Sequence, residues 1–221
     1  MKLDKDSRST VIKVYIAALV AIGLLLFARL HFGLSWWVVA PLSALLVFFS
    51  WFITFFFRVP ERTPAGDNTK VTAVADGKIV ILKKVYEPLF IKQECIQVSI
   101  YMDFFDVHAC FWPLTATVKE YRYYPGKHLL AFKPKASLDN EHTATLLLAD
   151  NGKQVLFKQL AGGFARRIVC YSKPGLRTKA GEQCGVIKFG SRIDIFLPLD
   201  VEIHVRLGEQ VRACETVIAT L

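Results

Sequence analysis

Towards its C-terminus the chain reads Gly185-Val186-Ile187-Lys188-Phe189-Gly190-Ser191-Arg192-Ile193-Asp194-Ile195-Phe196-Leu197-Pro198. Apolar and polar residues alternate on both sides of the pair Gly190-Ser191, which predicts one half-buried β-strand over residues 186–197. A glycine inside a strand usually marks a bend or a close approach of two backbones. Ser191 follows directly and carries a hydroxyl that could act as a nucleophile. By itself the local pattern indicates no more than a bulged strand with a surface serine.

Short segments of the same kind fill the chain from residue 71 onwards. Alternation or β-branched residues predict strands over residues 71–74, 78–83, 96–102, 116–123, 143–148, 154–160, 168–171, 186–197, 201–206 and 216–220. Turn dipeptides such as Asp76-Gly77 separate several of them. Because no pattern typical of a soluble helix occurs, residues 71–221 are predicted to form a mainly β domain, a closed barrel or a two-layer sandwich. Residues 205–219 resemble the strand–turn–strand unit of lipoyl-like barrel-sandwich folds.

Two apolar runs precede this domain, over residues 11–30 and 35–57. At a rise of 1.5 Å per residue the second run is about 34 Å long, enough to cross a hydrocarbon layer of ~30 Å. No small-residue cleavage site follows the first run, which disfavours a signal peptide. Residues 1–58 are therefore predicted to form a hydrophobic helical hairpin that anchors the protein in a membrane, followed by a linker over residues 59–70. A hairpin that re-enters the membrane or lies in its surface is the alternative.

Basic residues lie on both outer sides of the predicted hairpin, whereas the loop between its helices offers Arg29. The outer basic residues are Lys2, Lys5, Arg8, Lys13, Arg58 and Arg62. The cytoplasmic flanks of membrane helices are enriched in Lys and Arg. We therefore expect both ends of the hairpin, and the β domain with them, on the cytoplasmic side of the cell (inner) membrane.

The net charge of +9 suits either nucleic acid or anionic lipid. The two apolar runs decide in favour of lipid, so a membrane is the predicted partner and nucleic acid is not. The five cysteines are widely spaced, with no Cys-x-x-Cys pair and no cysteine–histidine set at metal-ligand spacing. This spacing predicts reduced thiols, and it predicts neither a zinc site nor a disulfide scaffold.

The segment Phe189-Gly190-Ser191-Arg192-Ile193-Asp194 resembles the self-cleavage site of the phosphatidylserine decarboxylase family in its short form. Further segments resemble motifs of the same family and follow in the same order. They cover residues 57–64, 74–79, 106–108, 124–132, 135–141 and 159–169. The resemblance as a whole extends over about residues 55–221 and is far more specific than any one of its motifs.

This resemblance implies that the protein cuts its own chain between Gly190 and Ser191 and converts Ser191 into a covalently bound pyruvoyl group. Glycine leaves its carbonyl open to attack by the serine hydroxyl, which turns the amide into an ester before elimination breaks it. Residues 1–190 would then form a large subunit and residues 191–221 a small one, paired as a heterodimer or within a higher oligomer. The pyruvoyl carbonyl would hold the substrate amine as a Schiff base and take up the electrons released when CO₂ leaves.

Two further residues receive roles from the resemblance. The family's Asp-Val-His motif supplies the histidine that acts as base for the serine, and its Ala-Asp-Gly motif supplies the aspartate that orients this histidine. These roles fall on His108 and Asp76. A histidine suits the task because its ordinary pKa of about 6.5 lets it take and return a proton near neutral pH. From the residues alone, Asp76-Gly77 is also typical of a hairpin turn, and His108 of a partly buried imidazole bonded to the backbone.

The implied reaction is the decarboxylation of phosphatidylserine to phosphatidylethanolamine and CO₂. Arg166, Arg167 and Lys127 are candidates for binding the phosphate or carboxylate of this substrate. The chain has Cys110-Phe111 where the family usually has an asparagine–arginine pair, which leaves the headgroup contacts open. The alternatives are a decarboxylase of a related serine phospholipid, a non-catalytic lipid-binding relative tethered to the membrane, and a lipoyl-like adaptor of a membrane assembly.

Overall fold

The computed structural model describes residues 2–127, 140–162, 167–188 and 191–221, with the backbone alone at Ser191. The chain divides into two compact units, Met1–Pro60 and Glu61–Leu221. Gly190 and Arg166, both named above as candidate site residues, lie outside the described residues.

The first unit is a pair of apolar helices, α1 (Arg8–Phe32) and α2 (Trp36–Phe56), flanked by the paired two-residue strands β1 (Lys2–Leu3) and β2 (Arg58–Val59). Helix α1 ends at Gly33, which adopts a left-handed φ of 68°. The Ser35 side chain accepts a hydrogen bond from the Trp37 N–H at 3.3 Å and so caps α2. By length and composition, both helices could span a membrane.

The second unit contains strands and turns in its described residues. The strands are β3 (Lys70–Thr72), β4 (Gly77–Glu87), β5 (Gln93–Met102), β6 (Ala109–Phe111), β7 (Ala116–Tyr124), β8 (His142–Ala149), β9 (Gln154–Ala161), β10 (Arg167–Cys170), β11 (Gln183–Lys188), β12 (Ser191–Leu197), β13 (Glu202–Ile203), β14 (Gln210–Val211) and β15 (Val217–Thr220). Every strand pair among them is antiparallel.

The described residues of this unit form three sheets. The largest has seven strands in the order β14-β4-β5-β12-β9-β8-β7, and two three-stranded sheets have the orders β10-β11-β6 and β13-β15-β3. All three contribute to one buried core, for example through Ile195 of the large sheet, Ile187 of β11 and Ile218 of β15. Alternating strand residues face this shared core, as expected for packed sheets. The predicted fold class is therefore confirmed: a mainly β, sandwich-like domain preceded in the chain by an apolar helical hairpin.

The stretch around Gly190 differs from the prediction. One strand was expected over residues 186–197, but the chain forms two strands that belong to different sheets. Strand β11 lies at the centre of a three-stranded sheet, and β12 lies in the middle of the seven-stranded one. Both strands contribute to the same core, Ile187 from β11 and Ile193 from β12. Periodicity reports which residues are buried but not in which sheet, so it could not detect the crossing.

Candidate active site

Ser191 is the first residue of β12, a strand that is paired on both sides. Its backbone lies opposite Met102, the last residue of β5, and opposite Ala161, the last residue of β9. Strand β4 begins at this same end of the sheet, with Lys78 opposite Tyr101. Ladders on both sides hold the strand in register, so the position of the Ser191 backbone is well defined.

Arg192 follows Ser191 and is completely buried. Its guanidinium donates through Nε to Oδ1 of Asp194 at 2.8 Å and through Nη2 to Oδ2 at 3.0 Å. Both residues lie on the face of β12 opposite to Ile193, on the same strand as Ser191. A buried guanidinium requires a compensating anion, and a bidentate carboxylate supplies it with good geometry. The ion pair therefore helps to hold the first residues of β12 in place.

His108 lies one residue before β6 and is completely buried. Its carbonyl oxygen accepts a hydrogen bond from the N–H of Ile187 at 3.3 Å. Ile187 is on β11, four residues ahead of Ser191 in the chain. The fold thus brings the histidine loop beside the strand that leads into the Gly190–Ser191 bond, although His108 and Ile187 are 187 − 108 = 79 positions apart in the sequence.

The imidazole of His108 is oriented by the backbone. Its Nδ1 atom lies 3.0 Å from the carbonyl oxygen of Asp106. A carbonyl can only accept, so Nδ1 carries the proton, and in the neutral ring Nε2 then carries the lone pair. The turn that presents this carbonyl is itself braced, because the Asp103 N–H donates to Oδ2 of Asp106 at 2.8 Å. Nε2 is thus the ring nitrogen that can accept a proton.

Asp76 binds Arg62. Nη2 of Arg62 donates to Oδ2 of Asp76 at 2.7 Å, and Nη1 contacts Oδ1. The Ala213 N–H also donates to Oδ1, at 2.9 Å. A planar guanidinium matches both carboxylate oxygens, and the Nδ1 proton of His108 goes to a backbone carbonyl, so the expected contact between Asp76 and the His108 ring stays a prediction. A catalytic part for Asp76 stays a prediction.

Sequence reasoning missed Arg62. The residue belongs to the segment 57–64, whose likeness to a family motif was noted but whose only predicted role was that of a linker and a cytoplasmic flank. Hydrogen bonding to Asp76 raises the pKa of the Arg62 guanidinium above its usual value, although burial opposes this shift. The side chains are only 9% and 13% exposed, so the pair is largely removed from water.

Two of the candidate substrate-binding residues, Lys127 and Arg167, are described, and they lie beside different sheets. Lys127 follows β7 at the edge of the large sheet, where its carbonyl accepts the Glu141 N–H at 2.9 Å. Arg167 is exposed on β10, directly opposite Lys188 of β11. Lys188 comes three residues before Ser191. Arg167 is therefore the described candidate that the strand pairing places nearest to the chain crossing, and no contact with a substrate is established for either residue.

The departure from the family pattern, Cys110-Phe111, is buried in β6. Cys110 belongs to the shared core. The Phe111 ring centroid lies 6.0 Å from the guanidinium carbon of Arg62, within reach of a cation–π interaction. Cys110 therefore packs in the shared core, and Phe111 packs near Arg62.

Comparison with known proteins identifies relatives of the whole chain. A profile of the phosphatidylserine decarboxylase family matches residues 49–219. A phosphatidylserine decarboxylase proenzyme of Parabacteroides distasonis is 36% identical over 222 residues, which is 100% of this chain and 99% of the relative. A protein of the same name from Amoebophilus asiaticus is 44% identical over 76% of this chain and 75% of its own length. The protein of that name from Polynucleobacter asymbioticus is 41% identical, over 86% and 84%.

The match covers the described strands β3 to β15, except for the last residue of β15, and the segments that carry Asp76, His108 and Ser191. Identity above one third over the full length of a relative is far beyond what a shared fold alone requires. The chain therefore belongs to the phosphatidylserine decarboxylase family.

Proposed function

We propose that this protein is a self-processing proenzyme that decarboxylates phosphatidylserine to phosphatidylethanolamine and CO₂ by means of a pyruvoyl group made from Ser191. Family membership supplies the reaction class, that of a carboxy-lyase. The observation that carries the proposal is the position of Ser191 at the start of a doubly paired strand, with the His108 loop bonded to the strand just before it.

Self-cleavage begins when Nε2 of His108 takes the proton of the Ser191 hydroxyl. The serine oxygen then bonds to the carbonyl carbon of Gly190 while the Gly190–Ser191 C–N bond breaks, which gives an ester and a free amine. Removal of the Ser191 Cα proton expels Gly190 as a carboxylate and leaves a dehydroalanine. Water then displaces ammonia, and the new chain begins with an α-keto acyl group. His108 is suited to the first step because its neutral form exposes a lone pair on Nε2.

In the second reaction the pyruvoyl group supplies an electron sink for the bond that CO₂ leaves. The chain's own residues bind the substrate headgroup and deliver a proton to the substrate carbon. His108, protonated during the reaction, returns a proton to the substrate carbon. Arg167, with Arg166 and Lys127 as further candidates, binds the phosphate or carboxylate of the headgroup. The residues present fit this chemistry, since the serine that must be converted opens the central strand of the sheet.

The apolar hairpin fits a membrane-resident substrate. Helices α1 and α2 are each long and apolar enough to cross a bilayer. The basic residues that flank the hairpin favour the cytoplasmic side of the inner membrane for the β domain. An enzyme anchored in this way meets a two-chain lipid without having to extract it from bulk water.

The test is an intact-mass measurement on the purified full chain, with an assay of CO₂ and phosphatidylethanolamine formed from phosphatidylserine vesicles. We expect two polypeptides, residues 1–190 and residues 191–221, the smaller with a keto-acyl N-terminus that reacts with hydroxylamine. Ser191→Ala should stay whole and inactive. A wild-type chain that persists as one 24.9 kDa species and releases no CO₂ would refute the proposal.

A further inference from the structure

A buried cluster outside the Ser191–His108 region joins three parts of the chain. Arg62, Asp76 and Ala213 form it, and we call it the Arg62 clamp. The guanidinium donates to both oxygens of the Asp76 carboxylate and, through Nη1, to the Ala213 carbonyl oxygen at 3.0 Å. The Ala213 N–H returns a hydrogen bond of 2.9 Å to Asp76. A carboxylate held by three donors in this way cannot turn without breaking several contacts at once.

The Arg62 clamp contains residues from both sides of the predicted cleavage site. Arg62 and Asp76 belong to residues 1–190, whereas Ala213 belongs to residues 191–221. Backbone hydrogen bonds reinforce the same junction, from the Ala65 N–H to the Cys214 carbonyl at 2.8 Å and from the Cys214 N–H to the Ala73 carbonyl at 3.0 Å. The two segments that self-cleavage would separate are therefore fastened together around Asp76.

The clamp also supports the strand that follows His108. The Phe111 N–H of β6 donates to the Val74 carbonyl at 2.8 Å, two residues before Asp76. The Phe111 ring lies beside the Arg62 guanidinium. Strand β6 begins one residue after His108. A shift of the segment 74–76 would therefore shift β6 and, with it, the backbone of His108.

Charge explains why an arginine is needed. A carboxylate removed from water is costly unless a cation and further donors compensate it. Without Arg62, the buried Asp76 carboxylate would lose its cation and two of its three donors, so it would have to turn towards water or another donor. Such a turn would strain residues 74–76, whose Val74 carbonyl is bonded to β6.

We propose that Arg62 is a positioning residue for self-cleavage. By binding Asp76, it fixes the position of the His108 backbone beside β11, the strand that leads to Ser191. The inference rests on the proposed function, since it assumes that the chain cuts itself at Gly190–Ser191. It replaces a direct Asp76–imidazole contact with an indirect one through the backbone of residues 74–76 and β6.

The experiment follows the appearance of the two fragments over time in the full-length protein. Arg62→Ala should slow cleavage at least about tenfold, a factor that corresponds to a loss of ~1.4 kcal/mol of transition-state stabilisation. Arg177→Ala is the matched control, because Arg177 makes a bidentate pair of the same kind with Asp150, with both contacts at 2.7 Å. That pair is exposed and lies near the opposite end of the large sheet, so its loss should leave the cleavage rate unchanged.

Two readouts separate positioning from general stability. Millimolar guanidinium chloride should restore cleavage of purified, uncut Arg62→Ala protein, whereas sodium chloride at the same concentration should not. In a double-mutant cycle, adding Arg62→Ala to Asp76→Asn should slow cleavage little beyond Asp76→Asn alone, because both changes break the same contact. Should Arg62→Ala fail to fold, Arg62→Lys keeps the charge and loses the bidentate geometry, and it should still cleave more slowly than wild type.

The inference is overturned if Arg62→Lys or a folded Arg62→Ala protein cleaves at the wild-type rate, or if the two substitutions slow cleavage additively. Failure of the proposed function looks different, because the wild-type chain itself would then stay uncut. If the wild type is cut and active and the Arg62 variants are cut equally fast, the positioning role of Arg62 is rejected and the proposed function stands.

Discussion

A backbone carbonyl, that of Asp106, lies 3.0 Å from Nδ1 of His108 and keeps its acceptor character at any pH. This bond orients the imidazole through an uncharged acceptor. Asp76 is engaged by Arg62 instead, in a largely buried pair. At the scale of single residues, the candidate base His108 and the Arg62–Asp76 ion pair are thus two separate sets of contacts.

Removal of the base is the direct test at this scale. His108→Ala should slow self-cleavage by about 10²–10⁴-fold, the usual contribution of a positioned general base, and leave the chain intact on a denaturing gel. His204→Ala is the matched control, because His204 also lies in the second unit but bonds to Thr220, with Nε2 2.7 Å from the hydroxyl oxygen. Normal cleavage of His108→Ala protein would remove the base assignment.

His142 predicts a pH dependence of stability. Burial lowers the pKa of His142 below its usual 6.5, and the nearby Lys158 lowers it further, while the bond to the Asn140 carbonyl and the charge of Asp194 oppose the shift. The native state thus binds fewer protons than the unfolded state as the pH falls below about 6.5, so acid destabilises the fold. We expect the melting temperature of wild type to drop more between pH 7.5 and about 5 than that of His142→Gln. Equal drops in the two proteins would contradict this assignment.

At the scale of elements, the decisive feature is the division of one alternating stretch between two sheets. Strand β11 pairs with β10 and β6, whereas β12 pairs with β5 and β9. The bond predicted to be cut thus lies where the chain leaves one sheet for another. Cleavage at such a crossing leaves both strands and all their ladders in place, which suits an enzyme that must stay folded after cutting itself.

The start of β4 depends on a glycine. Gly77 has a φ of +146°, and a Cβ atom there would collide with the carbonyl oxygen of Tyr101 on β5. Gly77→Ala should therefore destabilise the protein by more than Gly152→Ala, whose φ of +82° costs about 1–2 kcal/mol of strain but whose surroundings are open. Thermal unfolding of the two variants in the same detergent checks this order. A smaller effect at Gly77 would show that the β4–β5 pairing yields easily.

At the scale of the whole molecule, the segment 191–221 is an integral part of the sheets and the core of the β domain. Strand β12 pairs with β5 and β9, β14 with β4, and β15 with β3, and all of these partner strands precede the predicted cleavage site. The segment's apolar residues Ile193, Ile195 and Ile218 are part of the shared core. A fragment with this many partners contributes to the stability of the fold as an internal part of it, whether or not the backbone before it is continuous.

The two fragments should therefore stay together after cleavage. We expect them to co-purify through detergent extraction and size-exclusion chromatography and to separate only in denaturant. A reducing agent should make no difference, because the five cysteines are free thiols. Release of the 191–221 fragment under native conditions would contradict this prediction.

Much of this architecture was predictable from local pattern. The apolar runs and the alternation of short strands are properties of neighbouring residues, so the hairpin and the mainly β class followed directly. Helix α1 begins at Arg8, three residues ahead of the predicted start, because polar residues can occupy a first turn that faces water. Strand β6 was missed since three residues are too few to show a period.

The sequence by itself determined which residues could do chemistry, because Ser191, His108 and the motifs around them are recognisable from their immediate neighbours. Only the tertiary structure decided that β11 and β12 belong to different sheets, that a carbonyl orients His108 and that Arg62 holds Asp76. Each of these depends on where a backbone turns or on which distant donor reaches a given acceptor. Such choices are made by the burial and hydrogen bonding of the whole fold, and no stretch of neighbouring residues records them.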